Sequence, residues 1–388
     1  MKIGILTFHK PVNYGAFLQS YALTRQLSRD YPNAKVEIID YIAPLEMKKK
    51  YINILRRIKK FGLKAGYTET KKIRMFDSFK DYLPLSEKSF STNRLDLLYT
   101  YIERTYDVLI IGSDAVFNWT QNGYPSAFIP LKKLSIPVLT YAASVHGLRY
   151  FEEPMERISS CGKAFRNMEG VFVRDKCTEE FVKYCGEESP KHACDPTFLL
   201  SNEDLNKYKM RDTKKILEAY HLDSKKKYIV LMLQNELLSK RIYDTFSSDY
   251  IIVSLFMNNN HSDAFLYDLN PFEWASVIKE ASLVVTNYFH GTLLALEQGT
   301  PTIVLDISHY FGEYEGKLKD LMVSRLNLGE LYFQVENIGS DENINNIITV
   351  AHDAINGEYK NRIAVSVERE RDSYDGFKSY LSRIISRE

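Results

Sequence analysis

Short apolar runs that alternate with helical segments constrain the fold of this chain more than any other feature. Residues 228–233, 250–255 and 302–306 are nearly continuous runs of apolar residues, many of them β-branched. Strands that are apolar on both faces are typical of parallel sheets covered by helices on both sides. The pattern therefore predicts an α/β protein built on parallel sheets.

The alternation occurs in two separate parts of the chain. Strand patterns at 3–8 and 36–41 flank a helical pattern at 17–27, which is the length of one parallel crossover unit. At 388 residues the chain is too long for one compact core. We predict an N-terminal Rossmann-like domain at 1–200, a linker region rich in charged residues at 201–227, a C-terminal Rossmann-like domain at 228–359, and a charged helix at 360–388 that packs back on the first domain. Two such domains are expected to face each other across a cleft between their strand ends.

Residues 48–104 interrupt this rhythm and are predicted to form an inserted, basic helical segment of the first domain. Lysines 48–50, Arg56, Arg57, Lys59 and Lys60 are interleaved with apolar residues spaced three and four apart. A solvated helix is the simplest interpretation. The alternative is a face that holds an acidic glycan, a lipid-linked acceptor or an anionic membrane surface.

Composition and missing motifs exclude several functional classes. The net charge is +1, from 51 basic and 50 acidic residues, so no overall field draws the chain to nucleic acid. The sequence has no P-loop, no G-x-G-x-x-G, no G-x-S-x-G and no H-E-x-x-H, so we expect neither nucleotide hydrolysis nor dinucleotide redox chemistry nor a metal. The spacing of the four cysteines, all within 161–194, predicts reduced structural thiols.

The amino terminus predicts where the protein works. The chain enters a strand directly, without the pattern of a signal peptide, and no apolar run reaches the roughly 18 residues of a membrane span. We therefore predict a cytoplasmic protein, with peripheral contact at the inner membrane surface as an additional option. The oligomeric state is left open.

An abrupt strand-to-helix change at 284–299 marks the strongest candidate site. The apolar run stops at Asn287 and Tyr288, and His290 begins a helical pattern. Ligands of parallel α/β sheets bind outside the carboxyl ends of strands, and an imidazole titrates near neutral pH. We predict that His290 is the acid or base of an active site; a structural core histidine is the alternative. The amides of Gly291 and Thr292 are expected to meet an anion, because the first amides of a helix lack internal partners.

Polar residues also follow two strands of the first domain. Asn13, Tyr14 and Gly15 form a turn after the first strand, and Gly15 would allow close approach of a ligand. Ser113 and Asp114 follow another strand; Asp114 is predicted either to orient a sugar hydroxyl or to cap the next helix. These five residues are assigned to acceptor binding, with an ordinary strand-to-helix turn as the alternative for residues 13–15.

Several strings, taken in order, resemble the polysaccharide pyruvyl transferase family. They are the start of the chain with residues 13–16 and 19–23, the segment 107–118, Tyr-Ala-Ala-Ser at 141–144, Arg174, Asp-Pro-Thr at 195–197, and Phe-His-Gly-Thr at 289–292. The resemblance spans residues 1 to about 330. It implies a glycosyltransferase-B-like fold and transfer of pyruvate from phosphoenolpyruvate, a co-substrate with no further cofactor, to hydroxyls of a lipid-linked or nucleotide-linked sugar. The product would be a cyclic ketal on a bacterial surface polysaccharide precursor, such as a capsule or exopolysaccharide.

The resemblance also implies roles for two cations. Arg174 matches the family's arginine and is assigned to the phosphate or carboxylate of the donor, with a surface ion pair to Asp175 as the alternative. Lys317 falls where members place a basic residue after the histidine helix, and it is assigned to the donor as well.

The chain departs from the family's pattern beside His290. Many members carry an Asp-Ser pair, or an arginine two residues before the histidine, where this chain has Asn287 and Tyr288; they also carry Gln and Trp where it has Ala115 and Phe117. Asn287 and Tyr288 are therefore assigned to donor binding, although Tyr288 supplies one hydrogen bond and no charge. Two alternatives stay open: a glycosyltransferase that uses a sugar nucleotide, and a catalytically inactive glycan-binding relative.

Overall fold

The computed structural model describes residues 1–10, 13–307, 316–334 and 341–386. For residues 47–51, 53, 54, 57, 61, 64, 65, 68 and 72 it describes the backbone alone, so the side chains of lysines 48–50 and of Arg57 lie outside the described part. The chain divides into two compact units, one comprising Met1–Leu199 and the chain from Arg371, the other Leu200–Glu370. Each unit is built on a parallel sheet, which confirms the predicted fold class.

The sheet of the first unit has five strands in the order β3-β2-β1-β4-β5. Their bounds are β1 Lys2–Leu6, β2 Lys35–Tyr41, β3 Leu85–Phe90, β4 Val108–Ile111 and β5 Val138–Thr140. A separate pair, β6 Phe172–Val173 and β7 Lys191–His192, adjoins β5 through isolated bridges. The order matches the first five strands of a Rossmann fold, so its topological switch point lies between β1 and β4.

Seven helices belong to the described part of the first unit: α1 Tyr14–Asp30, α2 Pro44–Phe79, α3 Leu95–Thr105, α4 Trp119–Asn122, α5 Met155–Arg166, α6 Lys176–Tyr184 and, from the end of the chain, α15 Ser373–Ile385. Helix α1 covers the sheet with a long buried face that includes Phe17, Tyr21 and Leu27. Helix α2 is interrupted at Gly62, where φ is +82° and the backbone is not helical.

The prediction of one helical insertion at 48–104 is wrong. Residues Leu85–Phe90 form β3, which pairs in parallel with β2 at the edge of the sheet, and α3 follows. The strand sequence Leu-Ser-Glu-Lys-Ser-Phe is mostly polar and half exposed, as an edge strand can be, so it lacks the apolar run that marked the buried strands.

The sheet of the second unit has six parallel strands in the order β10-β9-β8-β11-β12-β13. Their bounds are β8 Tyr228–Met232, β9 Ile251–Leu255, β10 Ala264–Leu266, β11 Leu283–Thr286, β12 Thr302–Asp306 and β13 Tyr332–Gln334. This is the complete Rossmann order, and the switch point lies between β8 and β11. The four central strands are buried over their whole length, whereas β10 and β13, which the sequence patterns missed, are short and half exposed at the two edges.

Between Leu200 and Arg371, the described part of the chain has eight α-helices: α7 Asn202–Asn206, α8 Thr213–Ala219, α9 Glu236–Phe246, α10 Pro271–Lys279, α11 Phe289–Glu297, α12 Lys317–Lys319, α13 Asp341–Ile355 and α14 Lys360–Arg371. Helix α10 shows why such segments are helical: Asn270 and Glu273 form a capping box, and Pro271 occupies the first turn.

Two predicted boundaries need correction. Residues 201–227 are not a linker but carry α7 and α8, and Arg211 between them binds Glu273 of α10 through two hydrogen bonds of 2.9 Å. The charged composition of this stretch reflects exposed helix faces rather than loose chain. The tail 360–388 is two helices instead of one; α14 lies mainly in the second unit, and α15 packs on the first, where Phe377 contacts the rings of Tyr141 and Phe172.

Candidate functional site

The predicted site residues gather at the switch points of the two sheets. In the second unit, β11 ends at Thr286, and Asn287 to His290 follow it beside the end of β8. In the first unit, β4 ends at Ile111, and Ser113 and Asp114 follow it beside the end of β1. Adjacent strands at a switch point send their connections to opposite faces and leave a crevice, which is where open α/β sheets bind ligands.

His290 is the second residue of α11. Tyr288 is the N-cap with extended backbone angles, and no side chain caps the helix. The His290 ring is 7% exposed and stands nearly perpendicular to the ring of Phe289, with centroids 5.5 Å apart. The ring lies at the positive end of the helix dipole, which attracts an anion bound beside it.

The structure corrects the predicted role of the Thr292 amide. This amide donates to the carbonyl of Tyr288 at 2.8 Å, and the Thr292 hydroxyl donates to the same oxygen at 3.0 Å. The helix starts at Phe289, one turn before Thr292, so Thr292 already belongs to the hydrogen-bonded part of the helix. The residue four positions before Gly291 is Asn287, which lies outside the helix, so the Gly291 amide is one of the first amides of α11, and its contact with an anion stays a prediction.

Gly291 also has a packing role that the sequence did not reveal. A Cβ at this position would lie 2.7 Å from Cε of Met232, and 3.2 Å from both its Sδ and Oγ1 of Thr286. The start of α11 therefore presses directly on the ends of β8 and β11. The absence of a side chain at residue 291 sets the height of His290 above the sheet.

Asn287 and Tyr288 are half buried, and their backbone amides are used for local structure. The Asn287 amide donates to the carbonyl of Met232, and the Tyr288 amide donates to Oγ1 of Thr286. The Tyr288 ring packs on that of Phe256, with centroids 3.9 Å apart, and burial raises the pKa of the phenol, which stays protonated at neutral pH. Among the described residues, neither side chain makes a hydrogen bond, so both polar ends are available to a ligand.

Lys317 approaches the same helix start. Its Nζ lies over the ring of Phe289, 4.8 Å from the centroid, in the geometry of a cation–π contact. This places a positive charge on the residue that precedes His290. The Phe289 ring thus contacts both Lys317, a predicted donor-binding residue, and the ring of His290, the predicted acid or base.

In the first unit, Arg174 is surrounded by three carboxylates. Nη1 donates to Asp195 at 2.6 Å, Nη2 donates to Asp114 at 3.2 Å, and Nε lies 3.9 Å from Asp175. The ion pair with Asp175 is present, but the Arg174 side chain is 1% exposed, so the pair is buried and not at the surface. The charge of Arg174 is balanced within the unit, and an anion from outside would have to displace one of these carboxylates.

Electrostatics keep Arg174 and Asp175 ionised. Burial would lower the pKa of Arg174, but the neighbouring Asp195, Asp114 and Asp175 raise it, so the guanidinium stays charged. Burial would likewise raise the pKa of Asp175, but Arg174 and the hydrogen bonds from Ser144 and Thr178 hold it below its ordinary value. Asp114, whose side chain is 17% exposed, is the carboxylate nearest to solvent.

The predicted acceptor residues divide into two groups. Asp114 sits at φ +77° and caps no helix, which rules out the capping alternative; Asn118 caps α4 instead. Ser113 is buried and donates to Oε1 of Gln19 at 2.7 Å. Both lie at the switch point, and Asp114 presents its partly exposed carboxylate there.

The turn residues 13–15 have structural roles in the first unit. The Asn13 side chain caps α1 by accepting from the amides of Gly15 and Ala16. Tyr14 is buried and stacks on Phe76, with centroids 6.1 Å apart. Gly15 lies in the first turn of the helix. Contact of these three residues with an acceptor stays a prediction.

Two polar residues of the first unit make contacts that no local sequence pattern predicts. Asp195, which precedes Pro196 as turn-forming residues often do, accepts from the Thr197 amide, and it also makes the shortest of the three contacts with Arg174. His9 is 1% exposed, and its ring nitrogens contact the Thr7 carbonyl at 3.2 Å and the Asp40 carboxylate at 2.9 Å. Burial would raise the pKa of Asp40, but the hydrogen bonds from His9 and Lys10 hold it well below its ordinary value. Partners more than 20 residues apart leave no local sequence signal.

Among the described residues, no three His, Cys, Asp or Glu side chains are arranged to hold a metal ion. All four cysteines are free thiols, and burial raises the pKa of Cys161 to about 12, so this thiol is unreactive at neutral pH.

Similar folds occur in solved structures of sugar-nucleotide enzymes. The chain aligns over its whole length with all of the UDP-GlcNAc 2-epimerase of Methanocaldococcus jannaschii, at 14% identity and a TM-score of 0.56. It also aligns over 98% of its length with all of the UDP-GlcNAc 2-epimerase of Neisseria meningitidis, bound to UDP-GlcNAc, at 11% identity and a TM-score of 0.55. Anabaena HepE in complex with UDP-glucose aligns in full with 98% of this chain, at 12% identity and a TM-score of 0.53. At these identities the likeness shows the fold alone, which is of the glycosyltransferase-B type.

Sequence comparison adds the family. A search of curated protein sequences found no significant match. The family model described as polysaccharide pyruvyl transferase, in contrast, matches residues 13–309, which include Ser113, Asp114, Arg174 and His290. The chain belongs to the polysaccharide pyruvyl transferase family.

Proposed function

We propose that this protein transfers the pyruvyl group of phosphoenolpyruvate to two hydroxyls of a sugar, forming a cyclic ketal on a surface polysaccharide precursor. The observation that carries the proposal is the family match together with the position of His290, at the start of α11 and at the switch point of the second sheet. The fold is shared with sugar-nucleotide enzymes, which supports a sugar substrate.

The proposed chemistry needs one group that moves a proton. His290 donates a proton to the methylene carbon of phosphoenolpyruvate, which leaves a cationic centre at the adjacent carbon. A sugar hydroxyl adds to that carbon and gives its proton back to His290. Phosphate then leaves with the electrons of its C–O bond, and a second hydroxyl adds in its place and gives its proton to the departing phosphate. The sum is one ketal and one inorganic phosphate, without any change of redox state.

The donor is assigned to the second unit. Phosphoenolpyruvate carries a phosphate and a carboxylate, and its site needs positive potential and hydrogen-bond donors. Lys317, the amide of Gly291 and the dipole of α11 supply the potential next to His290. The half-exposed side chains of Asn287 and Tyr288 supply hydrogen bonds, which fits their place in the chain where relatives carry other polar or charged residues.

The acceptor is assigned to Asp114 and Ser113 in the first unit. A partly exposed carboxylate suits a sugar hydroxyl, whose proton it accepts in a hydrogen bond. Arg174 fixes the Asp114 side chain from behind, and Gln19 fixes Ser113. In this proposal Arg174 is a positioning residue, because its charge is matched by Asp195, Asp114 and Asp175.

The deciding experiment incubates the purified full-length protein with phosphoenolpyruvate and a panel of lipid-linked and nucleotide-linked sugars. We expect phosphate release together with a mass gain of one pyruvate ketal on one acceptor. Lys317→Met should raise the KM for phosphoenolpyruvate about tenfold, since one charge-assisted contact is lost. Lys319→Met, which removes the other lysine of α12, serves as the matched control.

Two outcomes would replace the proposal. Consumption of a sugar nucleotide, without phosphate release from phosphoenolpyruvate, would identify a glycosyltransferase. Tight binding of glycans without turnover of any donor would identify an inactive glycan-binding relative.

A further inference from the structure

Helix α2 exposes apolar side chains to an unusual degree. Leu63 is 81% exposed, Leu55 67% and Tyr67 64%, and Leu45 and Ile52 are also exposed. Single exposed apolar residues are common on protein surfaces. Five on one helix form a patch, and such patches mark interaction sites.

On each side of the interruption at Gly62, exposed apolar residues share one face with exposed cations. Before Gly62, Leu45, Ile52 and Leu55 are seven and three residues apart, and Arg56 and Lys59 continue the same side of the helix. After Gly62, Tyr67 and Lys71 follow Leu63 at intervals of four, and Nζ of Lys71 lies 5.9 Å from the centroid of the Tyr67 ring. We call this set of side chains the basic-apolar face of α2.

The charge of α2 is set apart from the rest of the chain. Residues Pro44–Phe79 contain eleven Lys or Arg and three Asp or Glu, a net charge of +8, although the whole chain carries only +1. The remainder of the chain is therefore net −7. The near-neutral total hides a strongly basic helix.

The far end of α2 is anchored in the first unit. Phe76 and Phe79 are buried, and Phe76 contacts the ring of Phe17 at 5.8 Å and that of Tyr14 at 6.1 Å. This packing buries Phe76 and Phe79, the two phenylalanines of the last two turns. The basic-apolar face lies earlier in the helix and is not needed for that packing.

We propose that the basic-apolar face of α2 docks the protein on an anionic lipid surface. Helices that lie in a membrane interface combine cations, which attract anionic headgroups, with apolar side chains, which enter the acyl boundary. A soluble acidic glycan would match the cations of this face but would leave Leu55 and Leu63 without a partner. No helix in the described residues is long and apolar enough to cross a bilayer, so α2 lies on the surface rather than spanning it.

The test measures co-sedimentation of the full-length protein with vesicles, in the absence of any donor or acceptor sugar, so the result is independent of the proposed transfer reaction. We expect binding to vesicles of phosphatidylglycerol and phosphatidylcholine, weakening as salt rises, and no binding to phosphatidylcholine alone. Failure of the wild-type protein to bind the anionic vesicles at low salt would overturn the proposal.

Two pairs of variants test the two halves of the face. Arg56→Glu with Lys59→Glu should weaken vesicle binding roughly 25-fold or more, because each basic residue near an anionic surface contributes about fivefold. The matched control, Lys214→Glu with Lys225→Glu, makes the same charge change at exposed lysines of the second unit and should bind like wild type. Equal loss in both pairs would reduce the effect to net charge and reject a specific face.

Leu63→Ala with Tyr67→Ala should weaken binding roughly tenfold through lost apolar burial. Met210→Ala with Val365→Ala, which removes apolar residues that are 72% and 69% exposed in the second unit, is the control and should have no effect. Full binding by the Leu63 and Tyr67 variant would mean that charge alone suffices. The face would then be a general polyanion site, which a soluble acidic polysaccharide would compete for, and the lipid proposal would be wrong.

Discussion

The two switch points have the same order of neighbouring strands, but their polar side chains make different kinds of contact. In the first unit, polar side chains bind one another: Arg174 binds aspartates, and Ser113 binds Gln19. In the second unit, the residues around His290 are a tyrosine, an asparagine and a lysine, and the hydrogen bonds that hold the loop come from the backbone and from threonine hydroxyls.

The buried contacts of Arg174 hold the structure of the first unit, whereas the loop around His290 has side chains that can contact a substrate. A buried polar network that is satisfied internally makes a stable, well-defined scaffold, and breaking it is costly. A loop held by its backbone leaves side chains for a substrate. We therefore expect mutations of the buried Arg174 cluster to lower stability first, and mutations of the polar side chains around His290 to lower activity while leaving stability nearly unchanged.

The largest expected effect is on activity, at His290. His290→Gln keeps a polar side chain of similar size but cannot serve as the acid, and turnover should fall about 10²- to 10⁴-fold. Phosphate release from phosphoenolpyruvate measures the loss, and thermal unfolding should be nearly unchanged. His192→Gln, at an exposed histidine of the first unit, is the control. A stability loss as large as that expected for Arg174 would break the comparison.

The second prediction concerns stability at Arg174. Arg174→Ala leaves three buried or half-buried carboxylates without their cation and should lower the free energy of unfolding by about 3–5 kcal/mol. Asp195→Asn leaves the arginine with two carboxylates and should cost less, about 1–3 kcal/mol. Denaturant titration gives both values. If Arg174→Lys folds like wild type but raises only the KM for phosphoenolpyruvate, Arg174 binds the donor after all.

The third prediction sharpens the role of Gly291. Gly291→Ala should cost about 2 kcal/mol, because the new methyl group collides with Met232 at the end of β8. Met232→Val removes the colliding atoms, so the double variant should lose less stability than the sum of the two single ones. Gly329→Ala, where the nearest atoms would be 3.8 Å away, should be nearly neutral. Additive losses at 291 and 232 would show that the contact does not set the helix position.

The smallest expected effect is a pH dependence at Asp40. Because contacts with His9 and Lys10 lower the pKa of the folded carboxyl, the stabilisation is complete above its ordinary pKa of about 4 and is lost as pH falls through the lowered value. Asp40→Asn should cost about 1 kcal/mol at pH 7, and the gap to wild type should narrow below about pH 4. Asp96→Asn, at an exposed pair with Arg94, should change stability little at either pH. A stability difference between wild type and Asp40→Asn that grows as pH falls would contradict the expected direction.

The buried strands could be predicted because burial on both faces leaves a local record. The runs at β8, β9, β11 and β12 are apolar along their whole length, and all four were located from the sequence. The edge strands β3, β10 and β13 were missed, since an edge strand needs neighbours more than composition. Helices α7 and α8 were predicted as a linker because their exposed faces give this stretch a charged composition.

The candidate site could be predicted only in part. His290 was located because a strand end, a turn and a helix start are contiguous in sequence. The helix start itself was placed a residue or more too late, which misassigned the Thr292 amide. The three partners of Arg174 come from positions 114, 175 and 195, and only Asp175 is adjacent to it in sequence.

The sequence by itself determined the parallel α/β class, the two-part organisation, the family and the position of His290 after a buried strand. These depend on patterns within a few residues, which hydrophobic burial and helix capping write directly into the chain. Tertiary structure alone decided that Arg174 pairs with aspartates, that Met232 leaves no room for a side chain at Gly291, and that Lys317 lies over the ring of Phe289. Such contacts join residues that are distant along the chain, and only the folded backbone brings them within the few ångströms over which charges and methyl groups interact.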